Sequence, residues 1–462
     1  MQTNCSFAFT RHRVCIPLLA AIAATCSPLY GQDFFRDLGT SRSSGGIGPV
    51  SATEYTYQDT RPSALRPVDT AAAAEEQDQY NFALGPVRFG IALGFGAEFN
   101  DNITLAHDDR QSDIILRPLL NVDLMWPVTE AVTLKLQLGA SYAKYMEHSE
   151  FDTGGLLVSP TSALALTAQI GAVKLTVRDR FSYQEEPYNV APLSNVGVFR
   201  RFENQGGFDL ELPLNEAVTL AGGYDHYNLW TFDEEFASET RAIDTLFIRP
   251  TYQLTPGIKL GLFGSLSYVN FEDEDRKDAT GTLVGPFVDI QFSPVLALYV
   301  EAGYQALNFD GESTFDDEFY KNLTEDERSL LRDDSDFSGF YFKMELSHKP
   351  IDNVFEHAIS ASRTAEIGFG SDFYEIYHFE YNASFKGIAK TEIGPSVFYE
   401  HYETSGEFGE EADRWGAAIG IRHHLTNSLT LGLDYRFLYK DSNIPQADYY
   451  QNIAFLSVHY RF

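Results

Sequence analysis

Apolar and polar residues alternate one by one in the last segment of the chain. Counting back in steps of two from the C-terminus gives Phe462, Tyr460, Val458 and Leu456, and most positions between them are polar. This period of two is typical of a β-strand with one face in lipid and the other in water. We interpret the four residues as the signal that the outer-membrane barrel-assembly machinery recognises; an ordinary amphipathic strand is the alternative.

The same alternation recurs from residue 86 to the end and predicts an all-β fold, a transmembrane antiparallel up-and-down β-barrel of about 18 strands. Glu130-Ala-Val-Thr-Leu134 and Glu216-Ala-Val-Thr-Leu220 each start a strand after a short turn and lie 86 residues apart. Half that distance, about 43 residues, is the repeat expected for one hairpin. The predicted strands are 87–99, 113–126, 131–145, 155–170, 172–184, 205–214, 217–230, 241–254, 258–271, 281–292, 295–309, 339–349, 353–368, 374–386, 390–402, 413–425, 428–440 and 449–462.

Short turns alternate with long polar loops along this series. Turns such as Gly171-Ala172 contain residue types that favour tight turns, and the largest loop is predicted from Asp310 to Ser338. In that loop Thr324 and Glu327 have capping-box spacing, which predicts a helical turn. The asymmetry favours a barrel with its short turns in the periplasm over a soluble β-propeller, whose connections would be similar in length.

The first 31 residues have the features of a secretory signal peptide. Arg11 and Arg13 precede an uncharged, mostly apolar run that ends at Tyr30, and Gly31 is a small residue at the expected cleavage point. Residues 32–85 are rich in Ser, Thr, Ala, Pro and charge and lack periodicity, which predicts a flexible periplasmic segment or a plug. The predicted organisation is a leader at 1–31, this segment at 32–85 and the barrel at 86–462.

Charge and cysteine content narrow the possible functions. The formal net charge is −32, so we expect no nucleic-acid partner, because its phosphates would be repelled. With 44% hydrophobic and 14% aromatic residues, this acidity does not indicate disorder. Cys5, Cys15 and Cys26 all lie in the leader, so the mature chain is predicted to contain no disulfide, thiolate metal site or cysteine nucleophile.

The third predicted strand separates its two faces clearly. Leu134, Leu136 and Leu138 fall on one row, and Lys135 and Gln137 on the other. A Lys or Arg at the lipid midplane costs roughly 2 to 4 kcal/mol, so the polar row is expected to face the lumen. Applied to the other strands, this assignment gives the pore-lining candidates Arg117, Asp123, Lys135, Lys174, Arg178, Arg180, Arg249, Glu301, Lys343, Glu345, Asp434 and Arg436.

Two interpretations of these charges remain open. They can form cross-strand ion pairs that stabilise a wetted wall, with Asp123 near Lys135 and Arg178 near Asp209 as examples. They can also form a charged constriction that selects permeants.

Aromatic residues gather at the predicted strand ends. Girdles at the two membrane interfaces are therefore expected. Their predicted members are Trp126, Trp230, Trp415, Tyr145, Tyr183, Phe271, Phe309 and Phe462.

Motifs for catalysis or cofactor binding are absent from the sequence. His107, His401, His423 and His424 are the candidate acid–base groups, but no GxSxG, HExxH or phosphate-loop motif accompanies them. We therefore expect no enzyme activity, no cofactor and no metal centre. The acidic loops lack the spacing of a calcium loop and are interpreted as a solvated surface; contact with lipopolysaccharide through divalent cations is the alternative.

The first predicted hairpin carries a resemblance to a known family. It runs Phe99-Asn-Asp-Asn-Ile103, then an acidic loop from His107 to Asp113, then Ile114-Ile-Leu-Arg-Pro118. The aromatic–x–Asp–Asn–aliphatic step, followed by Ser-Asp and a proline, resembles the opening hairpin of the β-barrel porin type 2 family. The resemblance implies an outer-membrane pore of Gram-negative bacteria, of a kind often associated with exopolysaccharide export.

The favoured function is a passive outer-membrane channel for small hydrophilic solutes or an exported polysaccharide, in contact with outer-membrane lipid and lipopolysaccharide. The loops at 185–204 and 310–338 and the 32–85 segment are candidates for narrowing the lumen. The alternative is a plugged structural or docking barrel with no open pore. Conductance before and after removal of these segments distinguishes the two.

Overall fold

The computed structural model of the chain describes residues 80–160, 162–187, 191–273, 276–310, 336–351, 353–406 and 409–462. The predicted leader and nearly all of the 32–85 segment lie outside the described residues. So does the helical turn predicted at Thr324 and Glu327, together with most of the surrounding loop.

Eighteen strands form one closed antiparallel sheet. The ladder closes where the first strand pairs with the last, from Ala92 opposite Arg461 to Asn100 opposite Ile453. The predicted fold class, an all-β antiparallel barrel of 18 strands, is thereby confirmed. The strands are β1 Val87–Asn100, β2 Asp113–Thr129, β3 Val132–Ser141, β4 Ala163–Ile170, β5 Val173–Gln184, β6 Arg201–Pro213, β7 Val218–Thr231, β8 Arg241–Thr255, β9 Ile258–Phe271, β10 Ala279–Ser293, β11 Leu296–Phe309, β12 Phe337–Ile351, β13 Phe355–Ile367, β14 Phe373–Ile388, β15 Thr391–Thr404, β16 Glu411–His424, β17 Leu429–Ser442 and β18 Tyr449–Arg461.

One hairpin is less regular than predicted. The strands expected at 131–145 and 155–170 are each interrupted, and their outer pieces are the two-residue strands Lys144–Tyr145 and Leu157–Val158. At the break the Ser162 hydroxyl accepts a hydrogen bond from the backbone N–H of Gly139 (3.1 Å). A side chain therefore replaces one backbone hydrogen bond of the ladder there. The period-2 alternation of the sequence gives no information about such a replacement.

The two ends of the barrel differ in their connections. At one end, called the short-turn end here, strands are joined by turns such as Gly171-Ala172, where Gly171 has a φ of 62°. At the other, called the long-loop end, the loops include residues 101–112, 185–200 and 232–240. The predicted alternation of short and long connections agrees with this arrangement.

The outward rows of the strands are apolar and exposed. Phe95, Ile248, Leu266 and Leu433 are each about half exposed, at 51%, 53%, 52% and 49%. A continuous belt of such residues suits lipid, because soluble proteins rarely expose apolar patches of this extent. Among the described residues no helix is long and apolar enough to span a membrane.

The C-terminal strand follows the predicted alternation. Leu456, Val458 and Tyr460 are outward and exposed, and Phe462 is exposed just beyond the end of β18. Between them Phe455 points inward and lies over Gly96 of β1, where any side chain would collide with the ring. Recognition of these residues by the assembly machinery stays a prediction.

The aromatic girdle is only partly as predicted. Trp415 lies in an outward row with Tyr399 and Tyr439, with ring centroids 5.5 and 5.6 Å away, close to the long-loop end. In contrast, Tyr145, Phe271 and Phe309 turn inward and pack in apolar clusters of the lumen. Their strands extend beyond the apolar belt, where an aromatic side chain gains more by packing inside than by facing water.

Candidate functional site: the lumen and its mouth

All twelve pore-lining candidates occupy inward positions of their strands. The register fixes this, because each lies on the row opposite to the exposed apolar residues. Their role in permeation stays a prediction. They are Arg117 and Asp123 on β2, Lys135 on β3, Lys174, Arg178 and Arg180 on β5, Arg249 on β8, Glu301 on β11, Lys343 and Glu345 on β12, and Asp434 and Arg436 on β17.

Charge is distributed unevenly around the lumen. The inward rows of β13, β14 and β15, called the acidic wall here, carry five glutamates. The inward rows of β3, β4 and β5, called the basic wall, carry lysines and arginines and no carboxylate. Nine of the eighteen strand positions separate β5 from β14, so the two walls lie across the lumen from each other. The members are Glu356, Glu366, Glu380, Glu392 and Glu400 on the acidic wall, and Lys135, Lys174, Arg178 and Arg180 on the basic wall.

Several inward charges are bound to neighbours in the wall. Arg178 donates to Asp225 (2.7 Å) and lies 3.2 Å from Asp209, so the predicted proximity of Arg178 and Asp209 is observed. Asp123 faces Gln137 across the ladder, and Lys135 is the next inward residue of β3, diagonal to Asp123. The prediction considered only strands joined by one turn, and it missed Asp225 because that residue lies two strands away.

Arg249 of β8 is surrounded by aromatic residues. It lies across the lumen from the place where β1 pairs with β18. Its guanidinium lies 3.9 Å from the ring centre of Phe287, donates to the Tyr299 hydroxyl (2.6 Å) and is 3.7 Å from the Glu301 carboxylate. The hydroxyl of Tyr341 donates to the same carboxylate at 3.2 Å. Arg249 and Glu301 therefore stabilise one another within the wall.

The described residues of the loop between β5 and β6, 185–187 and 191–200, are called the mouth loop here and fold into the lumen at the long-loop end. The Glu186 carboxylate accepts a hydrogen bond from Arg117 of β2 (2.9 Å). On another part of the wall, the Tyr402 hydroxyl of β15 donates to the Ala191 carbonyl (3.2 Å). The Lys440 ammonium of β17 donates to Ser194 at 2.9 Å. The described residues of the loop thus reach strands on well-separated parts of the ring.

The mouth loop also packs against the rest of the lumen through apolar side chains. Leu193 and Phe199 are buried in a cluster with inward residues of β7 to β13, among them Tyr227 and Leu307. Phe369, at the tip of the β13–β14 hairpin, packs on Phe199 with ring centroids 5.7 Å apart. The sequence named 185–204 as a candidate for narrowing the lumen, and its described residues do cross the lumen near this end.

The tip of the β13–β14 hairpin takes part in the same assembly, which the sequence did not indicate. Arg276 donates to the backbone carbonyls of Gly368 (3.1 Å) and Ser371 (2.9 Å). Lys277 lies 2.8 Å from Asp372. These contacts connect the tip to the β9–β10 loop across the mouth.

Arg117 is the centre of the best-defined charge cluster at the mouth. Its Nε and Nη2 atoms donate to the Glu98 carboxylate of β1 (2.8 and 3.4 Å), and its Nη1 atom donates to Glu186. Arg201 donates to the backbone carbonyl of Glu186 at 3.0 Å. Burial raises the pKa of the Glu186 carboxyl, but the Arg117 charge and hydrogen bonds outweigh that effect and hold the pKa below its usual value.

The histidines named as possible acid–base groups have structural partners. His423 bonds to Thr391 and His424 to Thr430, both at 2.9 Å, within the wall near the short-turn end. His401 faces outward near the long-loop end, 3.0 Å from Asp413. With Glu403 and Glu411 it forms, among the described residues, a group close enough to share a metal ion, but both glutamates are exposed.

Sequence reasoning missed several residues that position the mouth. Lys440, Arg414 and Glu400 lie on inward rows that the alternation could have identified, and Arg414 and Glu400 are 2.6 Å apart. Glu186 lies in a loop, where alternation carries no information about orientation. The length of the loop was the only sequence feature that pointed to a role for Glu186.

The sequence matches no protein-family model and no curated protein. The structure is similar to solved barrels from Pseudomonas aeruginosa. OpdK, crystallised with vanillate, shares 10% identity over 81% of this chain and 99% of that chain, with a TM-score of 0.43. OccK2 (OpdF), in complex with glucuronate, shares 9% over 82% and 99%, with a TM-score of 0.44. OccD3 (OpdP) shares 11% over 84% and 93%, with a TM-score of 0.41.

Proposed function

We propose that the protein is an outer-membrane channel for small hydrophilic solutes, with the mouth loop controlling the path at the long-loop end. The observation that supports it best is the contrast between the faces of the barrel. Apolar rows face outward, whereas charged residues such as Lys135, Lys174 and Asp209 follow the inward rows. Such a lining is stable when water fills the lumen.

The strand number supports the same function. Barrels of about 8 strands are filled by their own side chains, whereas barrels of about 16 to 18 strands enclose an aqueous channel unless something closes it. Here the described residues that cross the lumen belong to loops at the long-loop end. A loop held by hydrogen bonds and apolar contacts can move, whereas the strands of the ring cannot.

The direction of insertion follows from the connections. Short turns of such barrels lie in the periplasm and long loops face outward. The mouth loop is then at the extracellular side, and the apolar belt contacts outer-membrane lipid and lipopolysaccharide. The exposed apolar row of β18, formed by Leu456, Val458 and Tyr460, agrees with assembly in that membrane.

Small solutes are favoured over an exported polysaccharide. The mouth loop crosses the lumen, so a continuous polymer chain would require its complete displacement, whereas a small solute requires only a local opening. The charged side chains of the basic and acidic walls also offer hydrogen-bonding groups to hydrophilic solutes. Membership of the β-barrel porin type 2 family, and with it polysaccharide export, remains the second candidate on the strength of the opening hairpin.

A plugged structural barrel is the competing function, and the mouth loop itself favours it. The decisive measurement is single-channel conductance of the refolded mature protein in a planar bilayer, with the reversal potential under a salt gradient. A matched variant replaces residues 187–198 with a short Gly-Ser linker, so that β5 and β6 form a simple hairpin.

If the protein is a channel, we expect the variant to conduct in steady steps with measurable ion selectivity, and the wild type to conduct less or intermittently. If both proteins are folded and inserted but silent, the lumen is closed independently of the loop and the channel function is wrong. The folded state is verified by the β-sheet circular dichroism of the same samples.

A further inference from the structure

His401 is the centre of a polar group on the outward face of the barrel, toward the long-loop end. Its Nδ1 atom lies 3.0 Å from the carboxylate of Asp413, which is directly opposite on β16. The Tyr399 hydroxyl donates to the same carboxylate at 2.8 Å. An ionised carboxylate only accepts hydrogen bonds, so Nδ1 carries the proton that it shares with Asp413. In the neutral imidazole the lone pair then lies on Nε2, which is the form of histidine that binds a metal ion.

Two glutamates lie beside this histidine on the same outward rows. Glu403 is the next outward residue of β15 after His401, and Glu411 of β16 lies directly opposite Glu403. One ligand atom from each of the three side chains lies within 4.8 Å of the other two. The Nε2 atom is 3.4 Å from the Glu403 carboxylate, which is long for an N–H···O hydrogen bond. It matches the edge of a ligand tetrahedron around Zn²⁺, about 3.3 to 3.4 Å for metal–ligand bonds of about 2.0 to 2.1 Å.

The charges of the two glutamates also favour a cation between them. Like charges directly opposite in an antiparallel pair are destabilising. Glu375 lies opposite Glu403 on its other side, and its charge is balanced by Arg363, 2.7 Å away. Within the described part of the chain, no lysine or arginine forms an ion pair with Glu403 or Glu411. A bound cation would therefore relieve the repulsion between these two carboxylates.

The barrel contains a second copy of the histidine arrangement that lacks the glutamates. On β7, Tyr224 and His226 have the same spacing, and both bind Asp244, which lies directly opposite His226 on β8. The positions that correspond to the two glutamates hold Asn228 and Ala242. The tyrosine, histidine and aspartate thus form part of the outer wall in both places, and the pair of carboxylates is an addition to one of them.

We propose that His401, Glu403 and Glu411 bind a zinc ion, with Asp413 orienting the imidazole. Imidazole and carboxylate together suit Zn²⁺, whereas Ca²⁺ takes about six to eight oxygen ligands. The ion holds the adjacent ends of β15 and β16 together and leaves its fourth position to water. The expectation of no metal centre rested on motifs and on the spacing of the acidic loops. These ligands come instead from two strands and are close together only in the folded barrel.

The test is calorimetric titration of the full mature protein in detergent micelles with Zn²⁺, together with its thermal unfolding midpoint with and without the ion. We expect the wild type to bind a single zinc ion and to unfold at a higher temperature in its presence. Asp413→Asn should weaken binding about 10- to 100-fold, as for other residues that orient a metal-binding histidine, and His401→Gln by at least as much. His226→Gln is the matched control, because it removes the histidine of the copy without glutamates and should leave the affinity unchanged.

Glu411→Gln separates metal binding from a purely structural role of the glutamate. With a chelator present it should unfold at the same temperature as the wild type or higher, because it removes one of two opposed charges. With Zn²⁺ present only the wild type should gain stability.

Two results would overturn the proposal. If His401→Gln and the wild type bind zinc with the same affinity, the histidine is not a ligand. If Ca²⁺ or Mg²⁺ raises the unfolding midpoint as much as Zn²⁺ does, the group is an acidic surface and not a zinc site. Neither result affects the proposed channel function, because the measurements do not depend on conductance.

Discussion

Charged residues of the lumen form ion pairs, and the burial of each pair decides how much it contributes to the stability of the barrel. Arg178 and Asp225 are 2.7 Å apart, and only 2% and 3% of their side chains are exposed. Lys144 and Asp152, a pair in the β3–β4 hairpin, are far more exposed at 48% and 18%. Solvent screens the second pair, whereas the first cannot lose one partner without leaving a buried charge.

We therefore expect Arg178→Gln to lower the free energy of unfolding by about 3 to 5 kcal/mol, since it removes the arginine that is hydrogen-bonded to the buried Asp225 carboxylate. Lys144→Gln is the control and should change it by less than about 1 kcal/mol. Urea unfolding of the protein in lipid vesicles, followed by circular dichroism, measures both. Equal effects of the two substitutions would contradict the assignment of Arg178 as a buried structural cation.

Alternation predicted the direction of individual side chains well in strands whose outward row is apolar and exposed. It placed Arg178 and Glu301 on inward rows because a charge on the lipid face is too costly to be tolerated. It failed at Tyr145 and Phe309, which turn inward beyond the apolar belt. It also gave no information on Glu186, whose direction is set by Arg117, a residue distant in sequence.

The strands β12 and β13 form an irregular pair. Their ladder ends where Phe342 faces Arg363, although β13 continues to Ile367. Beyond that point the Gln305 side chain of β11 takes the place of β12 as the hydrogen-bonding partner of β13. The amide donates to the Ala365 carbonyl (2.7 Å) and accepts from the Ala365 N–H (2.9 Å). One side chain thus forms the hydrogen bonds to both backbone groups of Ala365 that a paired β12 would otherwise have formed.

We expect Gln305→Leu to open this part of β13 without unfolding the barrel. The two backbone groups of Ala365 lose their partners, each costing about 1 to 3 kcal/mol when buried. Amide hydrogen exchange should become faster at Ala365 and stay unchanged at Ser360, lower on the same strand.

Gln253→Leu is the control for that prediction, because the Gln253 amide is exposed near the short-turn end and bonds only locally. It should leave exchange at Ala365 as in the wild type. Unchanged exchange in Gln305→Leu would mean that β13 is held by other contacts.

Element number and order were predictable because the membrane imposes them. The bilayer fixes how many residues a strand needs, and closure requires every strand to pair with its neighbours, so repeating alternation defines the whole series. The same reasoning does not extend to the loops. The path of the mouth loop depends on contacts with β2, β15 and β17, which are far apart in sequence and carry no period.

The proposed channel function requires one face of the whole sheet to meet lipid and the other face to meet water. Neighbouring positions in the middle of β9 allow a direct comparison. Leu266 is outward and 52% exposed, whereas Ser265 is inward, opposite Phe247 of β8 and Leu283 of β10. A charge introduced at these two sites meets opposite environments although the positions are adjacent in the chain.

We expect Leu266→Arg to destabilise the folded barrel in vesicles by about 2 to 4 kcal/mol, because the guanidinium must be held in hydrocarbon. Ser265→Arg, which adds the same charge one residue away, should cost much less, because its side chain can extend into the aqueous lumen. Denaturant titration in vesicles of defined thickness measures the difference between the two variants, which cancels effects of arginine on the unfolded chain. If Ser265→Arg were as costly as Leu266→Arg, the lumen at this height would be dry, and the channel would have to be abandoned in favour of a closed barrel.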